Sequence, residues 1–286
     1  MIESGPVCAV LKLEREFRKP DTRSYPPTET FPTSFFTQYI ILYDKIERID
    51  FTTDMDWWEE NVMLKVAFPL TVKDTFATYE IPYGHIKRST QLKNSWDSAK
   101  VEVPALRWAD LSEKDYGVSL INDSKYGYDC KGSTMRLSLL RSPKWPDPTA
   151  DRGFHRIKYS LYPHKGTWKE AKTPNIAYDF NNPLVPILTD KHAGNLPLEN
   201  YSFIKLSPEN LILTVLKKSE DSNSWTIQFY ESQGEETEAQ LVLPFIPSKV
   251  FKSNFLEEDR EELKFNGERI TLKVKANSIT TLKIYR

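Results

Sequence analysis

Apolar and polar residues alternate along most of this 286-residue chain. In residues 62–68, the larger apolar side chains Val62, Leu64, Val66 and Phe68 fall on one face, because successive strand residues point to opposite sides of a sheet. Long stretches with the 3.6-residue period of an amphipathic helix are almost absent. The pattern therefore predicts an all-β protein.

The predicted strands share this period of two residues. They are residues 7–17, 37–43, 48–55, 62–68, 116–122, 135–140, 155–162, 211–216, 225–230, 240–245 and 281–285. Residues 262–272 predict a hairpin whose turn is Asn266-Gly267. A type I′ turn suits this pair, because both residue types accept a positive φ at low cost.

Proline and glycine divide the chain between these strands. The 19 prolines fall mainly between apolar runs, where a missing N–H removes no ladder hydrogen bond. The proline-rich residues 19–34 are predicted to form a loop, and a second break lies around residues 191–201. We therefore predict a large β-sandwich over residues 1–196 and a small one over residues 197–286.

Composition narrows the class of protein. Hydrophobic residues make up 39% and charged residues 28%, which favours a packed core over disorder. With 39 basic and 40 acidic residues, the chain lacks the basic excess of nucleic-acid binders. No signal peptide or membrane span is recognised, and the two cysteines, Cys8 and Cys130, suit a reducing compartment. We expect a cytoplasmic protein without nucleic-acid or membrane partners.

The sequence has no recognisable motif for a metal site or for acyl or phosphoryl transfer. The four histidines, His85, His155, His164 and His192, do not occur at the short spacings of zinc ligands. No nucleophile elbow or phosphate-binding loop is present, so acyl and phosphoryl transfer have no support. We expect no metal site within the chain.

Asp54 and Asp56 are a candidate pair of catalytic carboxylates. They lie two residues apart on a predicted strand and hence on one face. Such neighbours can split their pKa values into an acid and a base for glycoside hydrolysis. The alternative, which we favour, is a solvated strand end.

The strongest candidate for ligand contact follows the predicted strand 116–122. An apolar run leads there into a cluster of polar and aromatic residues: Asn122, Asp123, Lys125, Tyr126 and Tyr128. Amide, carboxylate and ammonium groups bond sugar hydroxyls, and tyrosine rings stack on the C–H face of a sugar. A decorated turn has the same local sequence, so both interpretations stay open. Further stacking candidates are Trp57, Trp58, Trp96, Trp108 and Trp168.

Several separated segments, in the same order, resemble the C-terminal half of glycoside hydrolase family 38 α-mannosidases. They are residues 49–57, 64–69, 77–86, 103–110, 122–129, 139–143 and 159–164. The resemblance covers roughly residues 1–190, and the tail is more weakly similar to the family's small terminal β domain.

The resemblance implies a galactose-mutarotase-like antiparallel super-sandwich followed by a smaller β-sandwich. It also implies retaining hydrolysis of α-mannosides, with a mannose-containing glycan as the ligand. In that family the zinc ligands, the nucleophile and the acid lie in an N-terminal α/β barrel that is outside this chain. The resemblance therefore implies no catalytic residue and no cofactor here, with zinc in the separate catalytic domain. The resemblance also implies that segment 122–128 borders the family's active-site cleft. The five residues of the cluster are therefore expected to contact the glycan.

These points lead to a main interpretation and three alternatives. By the resemblance, this chain begins inside the sandwich of the intact enzyme, so we expect an unpaired strand edge and apolar surface to be exposed. A separate catalytic half, or self-association, would cover them. The chain is then a largely non-catalytic part of an α-mannosidase, inactive alone, that completes the cleft and stabilises the catalytic domain. The alternatives are a stand-alone carbohydrate-binding β-sandwich module, a purely structural scaffold, and an independent glycosidase using Asp54 and Asp56.

Overall fold

The computed structural model describes residues 1–20, 30–100 and 102–286, and nearly all of its regular structure is β. In chain order the elements are β1 (Glu3–Ser4), β2 (Cys8–Pro20), β3 (Thr30–Tyr43), β4 (Ile49–Trp57), β5 (Leu64–Pro69), β6 (Phe76–Ile81), β7 (Gly84–Ser89), α1 (Ser95–Ala99), β8 (Val103–Pro104), β9 (Trp108–Ser112), β10 (Tyr116–Asn122), β11 (Gly127–Lys131), β12 (Thr134–Leu140), β13 (Gly153–Lys165), α2 (Thr173–Asn181), β14 (Lys205–Ser207), β15 (Leu211–Lys218), β16 (Trp225–Glu231), β17 (Thr237–Val242), β18 (Lys249–Ser253), β19 (Asp259–Glu262), β20 (Phe265–Asn266), β21 (Arg269–Val274) and β22 (Ile279–Tyr285). The all-β prediction is confirmed.

Contacts divide the chain into two compact units. The first contains Met1–Glu80 and Ile86–Asn182, and the second contains Ile81–His85 and Pro183–Arg286. The predicted boundary between residues 196 and 197 lies in the stretch 183–204, where the described residues form neither helix nor strand. It stays a prediction.

The first unit is built on a nine-stranded sheet and a four-stranded sheet. Their strand orders are β1-β2-β3-β4-β13-β10-β9-β6-β7 and β5-β12-β11-β8. Alternate side chains of β4, among them Phe51, Met55 and Trp57, point into the core between the sheets. Phe51 stacks on Tyr159 with ring centroids 5.0 Å apart. Each such buried side chain stabilises the fold by roughly 1.5–3 kcal/mol.

A smaller cluster lies on the opposite face of the nine-stranded sheet. Helix α2, which has a proline in its first turn, packs there against β9 and β10. Proline is compatible with that position because the first-turn N–H has no partner within the helix. The cluster consists of Trp108, Ile121, Tyr162, Trp168 and Ala177. The sequence pattern did not predict this helix. Neither described helix is long and apolar enough to span a lipid bilayer.

The second unit is a smaller sandwich with its own core. Its sheets have the orders β15-β16-β22-β18-β19 and β14-β17-β21-β20. The side chains that fill the space between them include Ile227, Phe229, Leu241, Ile270 and Leu282, which are fully buried.

The prediction of a loop over residues 19–34 is wrong at both ends. Strand β2 continues to Pro20 and β3 begins at Thr30, while residues 21–29 lie outside the described residues. The ladder register shifts between Phe17 and Arg18, and Pro32 pairs with Arg18 at this irregularity. A bulge accommodates proline because the ladder is already interrupted there.

The predicted hairpin is present as β20 and β21, but its turn type is wrong. Asn266 pairs with Arg269, so the two loop residues are Gly267 and Glu268. Of these, Gly267 alone has a positive φ, of 59°. A positive φ at the first loop position only is the pattern of a type II′ turn, whereas type I′ requires it at both. Strand β17 also begins earlier than predicted, at Thr237 instead of residue 240.

Candidate functional site

The predicted glycan-contacting segment is the turn between β10 and β11. Asn122 ends β10 and is fully buried. Its side-chain amide donates to the Leu106 carbonyl at 2.6 Å and to the Tyr128 hydroxyl at 2.5 Å. Its Oδ1 accepts the Lys125 backbone N–H at 2.6 Å. These bonds leave the turn little freedom.

Tyr128 completes this internal network. Its hydroxyl donates to the Leu120 carbonyl at 3.3 Å, and its side chain is buried. Burial raises the pKa of Tyr128, so the hydroxyl stays protonated and remains a donor. Asn122 and Tyr128 therefore offer no surface to a ligand in this structure. They hold the backbone of the turn.

Three of the five predicted contacts do reach the surface. Asp123 and Tyr126 are exposed, Tyr126 by 57%, and Lys125 is half-buried. Between them, Ser124 adopts a left-handed φ of 72°, which reverses the chain. We call Asp123, Lys125 and Tyr126 the exposed turn side chains. A carboxylate, an ammonium and a phenol on a rigid turn can bind sugar hydroxyls and stack on a sugar ring.

An ion pair supports the neighbouring backbone and was not predicted. The buried Glu80 carboxylate accepts both the Arg107 backbone N–H, at 2.6 Å, and the Arg107 guanidinium. The guanidinium lies 3.8 Å from the centre of the Tyr178 ring of α2, and the Arg107 carbonyl accepts the Asn122 N–H at 2.9 Å. Because these residues are far apart in the sequence, no local pattern connects them.

Asp54 and Asp56 lie together on the outer face of β4, but in different settings. Asp54 binds the Arg156 guanidinium through both oxygens, at 2.6 and 2.8 Å. Hydrogen bonding from Arg156 lowers the pKa of Asp54, whereas a general acid needs a raised value. Asp56 accepts the Trp58 indole N–H at 2.6 Å. Asp54 is therefore not suited to be the acid of a glycosidase.

Ser119, His164 and Asp110 form a buried cluster of the residue types found in hydrolase triads. The Nε2 atom of His164 faces both Asp110, at 2.8 Å, and Ser119, at 3.3 Å. A triad needs the carboxylate at Nδ1 instead. The cluster is sealed, because Ser119 also bonds the buried Thr173 at 2.8 Å, and a Cβ on Gly117 would lie 2.4 Å from His164 Cε1. We assign it a structural role.

The remaining candidates are metal ligands and tryptophans. Within residues 1–20, 30–100 and 102–286, no three His, Cys, Asp or Glu side chains are grouped so that they could hold a metal. A zinc site in a separate catalytic domain stays a prediction. Of the tryptophans, Trp57, Trp108 and Trp168 belong to the interior, while Trp58 and Trp96 are exposed by 54% and 78%.

Two family models match the chain. Residues 1–149 match the model of the glycosyl hydrolases family 38 C-terminal domain, and residues 210–282 match that of the family 38 C-terminal beta sandwich domain. The alpha-mannosidase G of Dictyostelium discoideum is 35% identical over 99% of this chain and 26% of its own length. Human alpha-mannosidase 2C1 is 38% identical over 79% of this chain and 22% of its own length.

A solved structure has the same fold. The crystal structure of an alpha-mannosidase from Enterococcus faecalis superposes with a TM-score of 0.83 at 17% identity, covering 100% of this chain and 34% of that one. The chain thus spans about a quarter of the length of the curated relatives it matches. It belongs to glycosyl hydrolase family 38 and corresponds to the C-terminal region of the family's α-mannosidases.

Proposed function

We propose that this chain is the C-terminal, largely non-catalytic part of an enzyme that hydrolyses α-mannosides with retention. In this proposal it completes the substrate cleft and stabilises a zinc-bearing catalytic domain, and the assembly works in the cytoplasm. The observation that carries the proposal is the match of nearly the whole chain to a quarter of an α-mannosidase. The chain alone is then inactive.

The cleft contribution is assigned to the exposed turn side chains. Asp123 and Lys125 supply an acceptor and donors for mannose hydroxyls, and the exposed ring of Tyr126 supplies an apolar face. Their backbone is anchored from beneath by Asn122 and Tyr128. Such anchoring supports a binding role, because a preorganised contact loses less entropy when the ligand binds.

A second feature supports docking against another polypeptide. Residues 183–198, which we call the apolar segment, carry six aliphatic side chains that are at least 66% exposed: Leu184, Val185, Ile187, Leu188, Leu196 and Leu198. Flexible linkers are normally rich in polar residues, Gly or Ser. Burying each of these side chains would contribute roughly 1.5–3 kcal/mol. We assign the catalytic domain as the partner that covers them.

Reconstitution tests the proposal. We expect the purified chain alone to leave a nitrophenyl α-mannoside intact and to contain no zinc. The N-terminal portion of the Dictyostelium relative is expressed as a separate polypeptide. When this chain is mixed or co-expressed with it, the two should form a complex that contains zinc and releases nitrophenol. The N-terminal portion without this chain is the control.

Two outcomes would contradict the proposal. One is hydrolysis at enzyme-like rates by the chain alone, which would place the catalytic groups here. The other is failure to associate with any N-terminal portion of its relatives, while those portions are active by themselves.

A further inference from the structure

The outer face of β2, β3, β4 and β13 carries an open groove of about 790 Å³ around Asp56. We propose that this groove is a second binding site, for a neutral oligosaccharide, in addition to the exposed turn side chains. The site stands on its own residues; only the choice of mannose as the test sugar rests on the proposed function.

Strand register brings the lining residues together. Phe35 of β3 and Phe154 of β13 are the two cross-strand neighbours of Asp56 on β4. In the adjacent row, Thr37 and Arg156 flank Asp54 in the same way. Since neighbouring strands are about 4.8 Å apart, the two phenylalanines are roughly 10 Å apart at the backbone. Asp56 lies between them.

The aromatic rings at this groove are exposed. Phe35 is 51% and Phe154 68% exposed, and Trp58, beside them, donates its indole N–H to Asp56. Exposed aromatic rings on both sides of a polar group supply apolar faces on which a ligand can stack. The other oxygen of Asp56, Oδ2, accepts no hydrogen bond from the part of the chain that the structure describes. Rings beside an oriented acceptor match a sugar, which has apolar C–H faces and hydroxyl donors at its edge.

The charges of the groove favour a neutral ligand. Three of its four carboxylates already have a cationic partner. Glu14 pairs with Lys12, Glu16 with Arg18 and Asp54 with Arg156. Paired carboxylates keep free lone pairs and accept hydroxyl hydrogen bonds, but they attract no net charge. Arg15, which also lines the groove, balances the charge of Asp56, so a polyanion or a polycation would gain little here.

The exposed turn is hydrogen-bonded to β13, which is one of the strands that form the groove. The Asp123 backbone N–H bonds the Lys158 carbonyl of β13. Phe154 precedes Lys158 by four residues on that strand, which places the two backbone positions about 13 Å apart. A ligand that spans both places must contain several sugar rings. A docked protein fits less well, because the exposed rings are separated by Asp56 and do not form a continuous apolar patch.

Calorimetric titration of the full chain with α-linked mannotrioses tests the site. Since each aromatic contact contributes about 0.5–1.5 kcal/mol, we expect Phe35→Ala together with Phe154→Ala to weaken binding about tenfold. Asp56→Asn should weaken it less, because the amide oxygen can keep the Trp58 bond and the amide N–H₂ can donate to a sugar hydroxyl oxygen. Phe76→Ala, which removes an exposed ring on β6 and outside the groove, is the matched control and should bind as the wild type does. All variants should keep the wild-type melting temperature, because each altered side chain is exposed.

Three results would overturn the inference. They are no binding of any mannotriose, binding that the double variant leaves unchanged, and loss of the complex with the catalytic portion in the double variant, which would make the groove a protein interface. Failure of reconstitution with wild-type chain would instead count against the proposed function. It would leave the titration result unaffected.

Discussion

At the scale of single residues, Glu231 shows how a buried charge is held in the second unit. Its side chain is fully buried at the end of β16. Five donors within 3.0 Å bond its two oxygens, namely the backbone N–H groups of Gln233, Gly234, Glu235 and Asn277 and the Asn210 amide. Burial alone would raise the pKa of Glu231, but these donors hold it below its usual value.

Glu231→Gln is therefore expected to destabilise the chain by about 3 kcal/mol at pH 7. The substitution keeps the shape but turns an amide N–H₂ toward backbone donors and leaves them unpaired. Urea unfolding measures the change, and Glu238→Gln, at an exposed position of β17, is the control that should cost almost nothing.

The pH dependence of this difference has a defined sign. Because the folded-state pKa is lowered, the stabilisation is fully present above the unfolded-state value of about 4.3. It is lost as the pH falls through the lower folded-state pKa. The gap between wild type and Glu231→Gln should thus be constant from neutral pH to about pH 5 and shrink below about pH 4. A gap that widens on acidification would contradict this assignment.

At the scale of elements, the apolar segment differs from the strands around it. Strands bury one face against a sheet, whereas residues 183–198 expose aliphatic side chains almost completely and make no ladder. Leu188 and Leu198, for example, are as exposed as in an extended peptide. These side chains therefore contribute little to the stability of their own unit. In the proposed function, the contribution of the apolar segment lies in association with the catalytic domain.

Replacing Leu184, Ile187 and Leu188 together by Ser should leave the melting temperature of the chain unchanged. The same triple variant should weaken the complex with the catalytic portion on the order of 100-fold, because at least about 1 kcal/mol of burial is lost at each position. Biolayer interferometry of the complex measures this. Serine at Thr189, Asp190 and Lys191, the neighbouring exposed polar residues, is the matched control. Equal affinities of the two triple variants would exclude the segment from the interface.

At the scale of the whole molecule, each unit has a core of its own. The core of the second unit is formed entirely by residues between 204 and 284. The other stretch of this unit is Ile81–His85. Its Tyr83 ring packs edge to face with the Tyr230 ring, with the centroids 5.5 Å apart, and His85 bonds the Ser232 carbonyl at 3.2 Å. These contacts are peripheral to the core.

A fragment of residues 201–286 should therefore fold alone and unfold in one cooperative transition. We expect it to be less stable than the same unit in the intact chain by about 1–2 kcal/mol, the value of a lost aromatic contact and one hydrogen bond. Trp225 is the only tryptophan of the fragment, so its fluorescence in urea reports the transition. A gradual, non-cooperative change would show that the unit depends on the rest of the chain.

The sequence by itself determined the strands and the family. Alternation is a property of neighbouring residues, so residues 116–122 coincide with β10, and most other predicted strands overlap observed ones. The order of the resembling segments identified family 38, which the matches confirm. Local patterns failed where a turn depended on pairing, as at Gly267, or where a proline was tolerated by a bulge, as at Pro32.

Only the tertiary structure decided which candidate residues are exposed and which meet. Asn122 and Tyr128 look like surface groups in the sequence, yet their partners lie on other segments, and they are buried. Phe35 and Phe154 are neighbours of Asp56 only because β3 and β13 both pair with β4. Cross-strand register and burial are set by hydrogen bonds and packing between residues far apart in the chain. The local sequence pattern therefore does not predict them.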